Sequence, residues 1–355
     1  MSPQIRLAIA GVGNCASSLI QGLTYYHDHV SDEPVPGLMH TVLGGYRIRD
    51  IVPVAAFDVS ADKVGKDLAE AIFAPPNCAW KSCDVAPTGV EVMMGPVLDG
   101  VPPHLQPFVK VADRKPVDVE KVLRETGADV LVNFIPTGSK DAARYYAQAA
   151  INAGVGFVNG IPELIASDPE WAARAEKHGA QLIGDDVKSQ VGATILHRTL
   201  AKLFVDRGLK ITRSYQLNYA GNTDFANLST QRGASKSMTK EKAVESLVPY
   251  SFPLSSGFSF LEVLGDTKTA LILLEGEKFG GAPIRLLAKL DVEDSPNSAG
   301  VIIDAIRCCK IARDRGVSGA LESASAYLMK HPPRQFPDEE ARRRLEEFIA
   351  GTRER

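Results

Sequence analysis

Short apolar runs alternate with amphipathic stretches through the first half of the chain. Ile5-Arg6-Leu7-Ala8-Ile9-Ala10 is apolar but for one Arg, the pattern of a strand buried on both faces of a parallel sheet. A helix is predicted from about Asn14, a second strand over 52–58, and a helix over 60–73. Residues 74–116 then carry many Pro and Gly and little periodicity; an unstructured stretch this long inside a compact domain usually covers something or acts. Alternation resumes with a helix over 117–126, a strand over 129–134, a helix from Lys140, a strand over 156–158, a helix near 168–177 and a strand over 181–183. This βαβ rhythm predicts an α/β fold with a Rossmann-type doubly wound parallel sheet.

The texture changes after a predicted helix over 193–207. Longer alternating strands follow at 210–218, 258–264, 269–274 and 284–292, separated by turns, so a second α+β domain of mainly antiparallel strands is expected. From Ser298 the chain is helical again, with Val301, Ile302, Ala305, Ile306, Cys309 and Ile311 on one stripe, and should return to the first domain. The charged helix expected over 338–355 reads as a solvated surface element. The boundaries read as 1–200 for the nucleotide-binding domain, 201–295 for a catalytic and oligomerisation domain, and 296–355 for the helical return.

Composition adds little bias: 355 residues, 45% hydrophobic, and a formal net charge of −3. Nothing favours nucleic acid, and no window approaches the ~20 apolar residues of a membrane span or shows a secretory apolar core. The 5 cysteines include an adjacent pair and no CxxC, which fits reduced thiols in the cytoplasm.

Candidate chemistry begins where the first strand ends. In Gly11-Val12-Gly13-Asn14-Cys15-Ala16, Gly11 permits a tight turn, Gly13 lets backbone approach a pyrophosphate, and Ala16 lets the helix pack close, with its first amides facing the anion. Asp58 closes the second strand where a ribose hydroxyl is read, and a carboxylate there favours NAD over NADP. It lies further from the glycines than the usual ~20 residues, so residues 24–50 read as an insertion. The alternative is that Asp58 caps the segment after Ser60. Three further turns at strand ends, around Pro136-Thr137-Gly138, Asn159-Gly160 and Gly184-Asp185-Asp186-Val187-Lys188-Ser189, lie where such sheets bind ligands. Thr137 and Ser189 suit both ligand contacts and helix capping. The adjacent acids Asp185 and Asp186 repel unless something positive is near: Lys188, a substrate ammonium or a divalent cation.

The polar segment from Gly184 to Lys240 carries the more specific pattern. Gly184-Asp185-Asp186-Val187-Lys188-Ser189, Asn218 through Asn222-Thr223-Asp224-Phe225-Ala226-Asn227-Leu228-Ser229, Ser235-Lys236 with Lys240, and Glu293-Asp294-Ser295 together resemble myo-inositol-1-phosphate synthase, in its short prokaryotic branch. The resemblance implies an NAD-dependent, redox-neutral conversion of D-glucose 6-phosphate to 1D-myo-inositol 3-phosphate in a homotetramer. It implies that Lys236 and Lys240 serve the C5 hydroxyl and that Lys268 and Lys330 steady the C1 oxygen. It further implies that Asp186, Asp224 and Asp294 position lysines, the nicotinamide end or a cation, and that Asn218, Asn222 and Ser189 hold substrate. Clustered ammonium groups suit this chemistry, because negative charge develops on oxygen at C5, on the enolate and at C1.

Each residue also has a plainer reading. Lys236, Lys240 and Lys242 with Glu241 and Glu245 fit the solvated face of a helix equally well. Lys330 suits a helix C terminus, Lys268 a surface turn, and Asp294 a helix start. Ser189-Gln190-Val191-Gly192-Ala193-Thr194 departs from the family's usual KSGQT and puts the contacts of Ser189 and Gln190 in question. His27-Asp28-His29 lacks a third ligand nearby, whereas Asp186 and Asp294 with a phosphate oxygen suit a hard divalent cation. The competing function is another NAD-dependent sugar-phosphate or semialdehyde dehydrogenase on the same architecture.

Overall fold

The computed structural model describes residues 4–29, 31–230 and 234–355; the side chain of Ser235 lies outside that description. A seven-stranded parallel sheet is built from β1 (Ile5–Ala10), β2 (Ile51–Asp58), β3 (Val92–Met94), β4 (Val130–Asn133), β5 (Gly156–Asn159), β6 (Gln181–Ile183) and β11 (Gly319–Ala320), in the order β11-β6-β5-β4-β1-β2-β3. Strand order reverses at β1, which pairs with β2 on one side and β4 on the other, so the crevice at their carboxyl ends is the switch point of a doubly wound sheet. One face is covered by α1 (Asn14–Tyr25) and by the long α9 (Asp294–Asp314), whose apolar residues join those of β1 in one core. α3 (Val119–Glu125), α4 (Lys140–Asn152) and α5 (Pro169–Lys177) contribute to the core on the other face. Asp118 and Asp168 cap α3 and α5 by accepting from backbone amides, and Pro169 opens α5 where its missing N–H costs nothing.

A second, four-stranded sheet has the order β10-β9-β7-β8, from β7 (Lys210–Ala220), β8 (Leu254–Phe260), β9 (Thr267–Glu277) and β10 (Pro283–Glu293). α6 (Ala193–Asp206) packs beneath it. The β9 pairings are antiparallel as expected, but β7 and β8 are parallel, and a parallel pair needs a crossover. The connection holds α7 (Thr223–Leu228) and α8 (Ala234–Glu245) instead of the expected turn. α10 (Glu322–Leu328) and α11 (Asp338–Ala350) complete the helical return; α11 is only partly solvated, burying Ala341, Leu345 and Phe348.

Two other expectations change. The helix over 60–73 shrinks to α2 (Leu68–Ala71), because Gly65 takes φ +88° and the backbone there bonds β3 and the residues just before it instead: Gly65 N to Val92 O at 2.8 Å and Leu68 N to Val90 O at 2.8 Å. Residues 74–116 supply that short edge strand and then fold over the crevice. Asp99 caps α4 from this segment, accepting from the amides of Asp141 (3.0 Å) and Ala142 (2.8 Å). Further on, His104 contacts Asn227 at 3.1 Å and Phe108 meets Phe260 edge-on.

Candidate active site

The glycine turn after β1 behaves as its sequence requires. Gly11 has φ +88°, and a Cβ there would lie 2.7 Å from the Phe134 carbonyl carbon, so the turns after β1 and β4 touch. Gly13 has nothing within 4 Å of a notional Cβ, and α1 begins without a side-chain cap, leaving open space in front of its first amides. Ala16 is fully buried against the sheet. Asp58 Oδ2 accepts from Val12 N at 2.7 Å and its Oδ1 from Val59 and Ser60, so it caps the following turn, and its carboxylate keeps acceptor capacity beyond these bonds. Asn14 Oδ1 instead binds the amide of Cys78 at 2.7 Å and fastens the 74–116 segment beside the turn. Cys15 is half-buried on the cleft wall, its thiol pushed up to about 12 by desolvation. These features form a cradle that fits a dinucleotide.

From this cradle a cleft runs to the second sheet, lined by Gly13, Pro136, Thr137, Ser189 and the head of α6, and then by four lysines. Gly138 takes φ +85° as the turn residue after Thr137 and does not line the cleft. Three of the lysines carry a carboxylate. Lys236 Nζ donates to Asp224 Oδ2 at 2.7 Å, and Thr137 Oγ1 donates to the other oxygen at 3.2 Å. Lys330 Nζ donates to Asp186 Oδ1 at 2.9 Å, with Thr239 Oγ1 on Oδ2 at 2.6 Å. Lys268 pairs with Asp294 in the first turn of α9.

Lys240 differs. It is 5% exposed, has no carboxylate within ion-pair distance among the described residues, and sits over the Phe258 ring at 4.9 Å. Burial and then the charges of Lys268, Lys330 and Lys236 hold its pKa well below the ordinary lysine range. Lys236 moves the other way: burial opposes its charge, but Asp224 and Asp186 outweigh that and raise it. Lys330 is lowered, since burial exceeds what Asp186 returns. One cluster thus holds a lysine whose charge is disfavoured beside a lysine whose charge is favoured.

The face of α8 carrying Lys236, Thr239 and Lys240 turns inward, so the solvated-face reading fails for these positions. The paired acids also separate. Asp185 is fully buried and spent on structure, accepting from Ser167 Oγ at 2.7 Å, Asn159 Nδ2 at 2.8 Å and the amides of residues 165–167. Asp186 alone faces the cleft, and its cation is Lys330; Lys188 points away to Asp338 and the Ala326 carbonyl. Asn222 lines the cleft, caps α7 through Phe225 N at 3.1 Å and donates to Asp266 at 3.0 Å. Asn218 does not line it: its side chain is taken by Gln216 Nε2 at 2.9 Å and the Gly257 carbonyl at 3.3 Å. Ser189 lines the cleft while Gln190 leaves it to pack on Gly300. Gly192 then caps α6 without a side-chain bond, and the buried Thr194 hydroxyl has no partner among the described residues.

Sequence reasoning missed Thr239, which meets Asp186, and Phe258, Leu105 and Val109 on the cleft wall. Thr239 was findable at i+3 from Lys236, a spacing that returns to one face of a helix.

The chain is similar along nearly its whole length to characterised proteins. Residues 192–295 match the family model for myo-inositol-1-phosphate synthase. The inositol-3-phosphate synthase of Mycolicibacterium smegmatis is 52% identical, with 98% of each chain covered, and that of Corynebacterium glutamicum is 52% identical over 97% of this chain and 98% of the relative. A crystal structure of a myo-inositol-1-phosphate synthase-related protein from Thermotoga maritima superposes with a TM-score of 0.80 at 25% identity, covering 98% of each chain. With the glycine cradle, the lysine cleft and these relatives together, the chain belongs to the myo-inositol-1-phosphate synthase family.

Proposed function

We propose that this protein converts D-glucose 6-phosphate to 1D-myo-inositol 3-phosphate in an NAD-dependent cycle. C5 is oxidised, C6 is enolised, C6 closes on C1 in an intramolecular aldol step, and C5 is reduced again. The observation that carries this reading is Lys240, a buried lysine with no carboxylate at ion-pair distance among the described residues, ringed by three lysines that each have one. The glycine turn and Asp58 would hold NAD, which supplies reversible hydride transfer when bound.

Within this reading Lys240, lowered by desolvation and by its cationic neighbours, takes the C5 hydroxyl proton and returns it at the end. Lys236, kept charged by Asp224, stabilises the developing alkoxide beside it. Lys268 and Lys330 face the C1 oxygen, where charge appears as the ring closes. Asn222 holds a substrate hydroxyl. Ser189 and the uncapped head of α6, with the unpartnered Thr194 hydroxyl, suit the substrate phosphate.

A divalent cation at Asp186 or Asp294 would compete with the ammonium groups already on those carboxylates, and among the described residues no three His, Cys, Asp or Glu converge as ligands.

A homotetramer belongs to the same reading. Tyr215, Leu273 and Leu287 stand in register across the second sheet, and Tyr215 (40%) and Leu287 (60%) are exposed, an apolar face suited to a second copy. The five free thiols support a reducing, cytoplasmic setting, and no described helix is long and apolar enough to cross a membrane.

The test is incubation with glucose 6-phosphate and NAD, following inositol phosphate by phosphorus NMR and NADH by absorbance. Inositol phosphate without net NADH is expected; stoichiometric NADH would identify an ordinary dehydrogenase.

A further inference from the structure

Between the turn of 3-10 helix at Glu262–Leu264 and the start of β9 lies Asp266, a carboxylate only 2% exposed. It faces no ammonium or guanidinium within ion-pair distance among the described residues. Its partners are neutral: Asn222 Nδ2 at 3.0 Å and Ser295 Oγ at 2.9 Å donate to Oδ1, and Ser295 N donates to Oδ2 at 3.0 Å. Its carbonyl accepts from Asp294 N at 3.1 Å. The adjacent loops are in direct contact, since Gly221 N donates to Gly265 O at 2.8 Å and a Cβ on Gly221 would lie 2.5 Å from Leu261 O, Glu262 O and Gly265 N.

A carboxylate in this position is costly, being desolvated and beside a second carboxylate, Asp294. Burial, followed by the charge of Asp294, pushes it up to about 7. Its bonds converge on the two helices that present Asp224 and Asp294, two of the three acids of the lysine cluster. Asn222 uses its oxygen to cap α7, so only its amide NH₂ can turn to Asp266; α7 carries Asp224, the partner of Lys236. Ser295 and the Asp294 amide form the first turn of α9, and Asp294 is the partner of Lys268.

We propose that Asp266 is a positioning residue of the lysine cluster, setting the heads of α7 and α9 together so that Asp224 and Asp294 hold Lys236 and Lys268 at their working orientation. This rests on the synthase reading above. Asp266 itself lies behind the cleft wall and touches no reacting atom.

Asp266→Asn keeps the size but cannot keep the bonds: its NH₂ must face either Ser295 N–H or the Asn222 NH₂, donor against donor. Misplacement of charged groups by a fraction of an ångström to ~1 Å costs about tenfold to a hundredfold in turnover. The variant is expected to lose that much kcat, with KM for glucose 6-phosphate within about threefold of the parent and an unchanged far-UV spectrum. Asp266→Glu, which keeps two acceptor oxygens, should recover part of the loss.

A second readout does not depend on turnover. Lysine acetylation by a water-soluble reagent, followed residue by residue by mass spectrometry, should run about fivefold or more faster at Lys236 and Lys268 in Asp266→Asn, with Lys278 unchanged as control. A kcat within about twofold of the parent together with unchanged labelling overturns the proposal. If Asp266→Asn fails to fold, Ser295→Ala decides: a severalfold fall in kcat supports the positioning role, and undiminished kcat overturns it. Parent protein that forms no inositol phosphate would defeat the synthase reading, while the labelling comparison would still judge Asp266.

Discussion

Lys240 differs from its neighbours in what surrounds its ammonium group, not in its residue type. Burial disfavours its charge, three nearby cations disfavour it further, and Asp294 returns only part of that cost. A general base must lose its proton near working pH, so Lys240→Arg, which stays cationic, is expected to be nearly as inactive as Lys240→Ala, each down about a hundredfold or more in kcat. If Arg restores turnover measured under saturating substrate, the group acts as a fixed charge and not as a base. A second buried base lies behind the cluster. His197 contacts Ser214 Oγ at 2.7 Å and Gln216 Oε1 at 3.3 Å. Burial, with a smaller push from Lys240, lowers its pKa from 6.5 to about 4. A depressed folded pKa means that its stabilisation is complete above pH 6.5 and lost as pH falls towards 4, to about 3 kcal/mol by order of magnitude. Melting temperature against pH should therefore fall less steeply below 6.5 in His197→Gln; identical slopes would exclude this residue as a source of acid lability.

Elements that depend on local rules were legible in the sequence. The run before Gly11, the small residues of the turn and the carboxylate at Asp58 each state their backbone needs, and the structure meets them. Gly11→Ala tests that turn: with φ +88° and Phe134 backbone 2.7 Å from the added Cβ, the turns after β1 and β4 must separate. NAD affinity measured by calorimetry should fall at least about tenfold, and an unchanged affinity would remove the turn from the cofactor site. What the sequence hid was decided by distant partners. The periodicity over 60–73 suggests a helix, but Gly65 bonds to β3 and Leu68 to Val90 just before it, and this strand of three residues lies inside a Pro- and Gly-rich segment with no alternation to reveal it. β8 was placed too late and its parallel pairing missed, because a crossover through α7 and α8 leaves no turn signature. The lysine spacing in α8 was plain in sequence; that this face is buried was not, since a lysine face normally seeks water and only tertiary packing reverses it. Lys188 illustrates the converse: adjacent to the acids in sequence, it pairs instead with Asp338 on α11.

In the whole molecule the two sheets meet at one cleft, the first supplying the cradle after β1 and β4 and the second supplying Lys236, Lys240 and Lys268, while Lys330 arrives on the helical return. In the proposed mechanism, turnover therefore depends on how the second sheet is held, and the exposed Tyr215 and Leu287 are the face by which other copies would hold it. Leu287→Asp should shift a tetramer towards smaller species in sedimentation velocity and lower turnover with it; a variant that sediments like the parent would remove this face from the assembly. In the proposed cycle, hydride removed from C5 returns to the same substrate within one cleft. The most direct test is turnover of glucose 6-phosphate carrying deuterium at C5, with excess unlabelled NAD and the product ring read by NMR. Retention of the deuterium in the inositol phosphate, with no label accumulating in free NADH, is the predicted result; washing out of the label into the NADH pool would contradict a closed redox cycle.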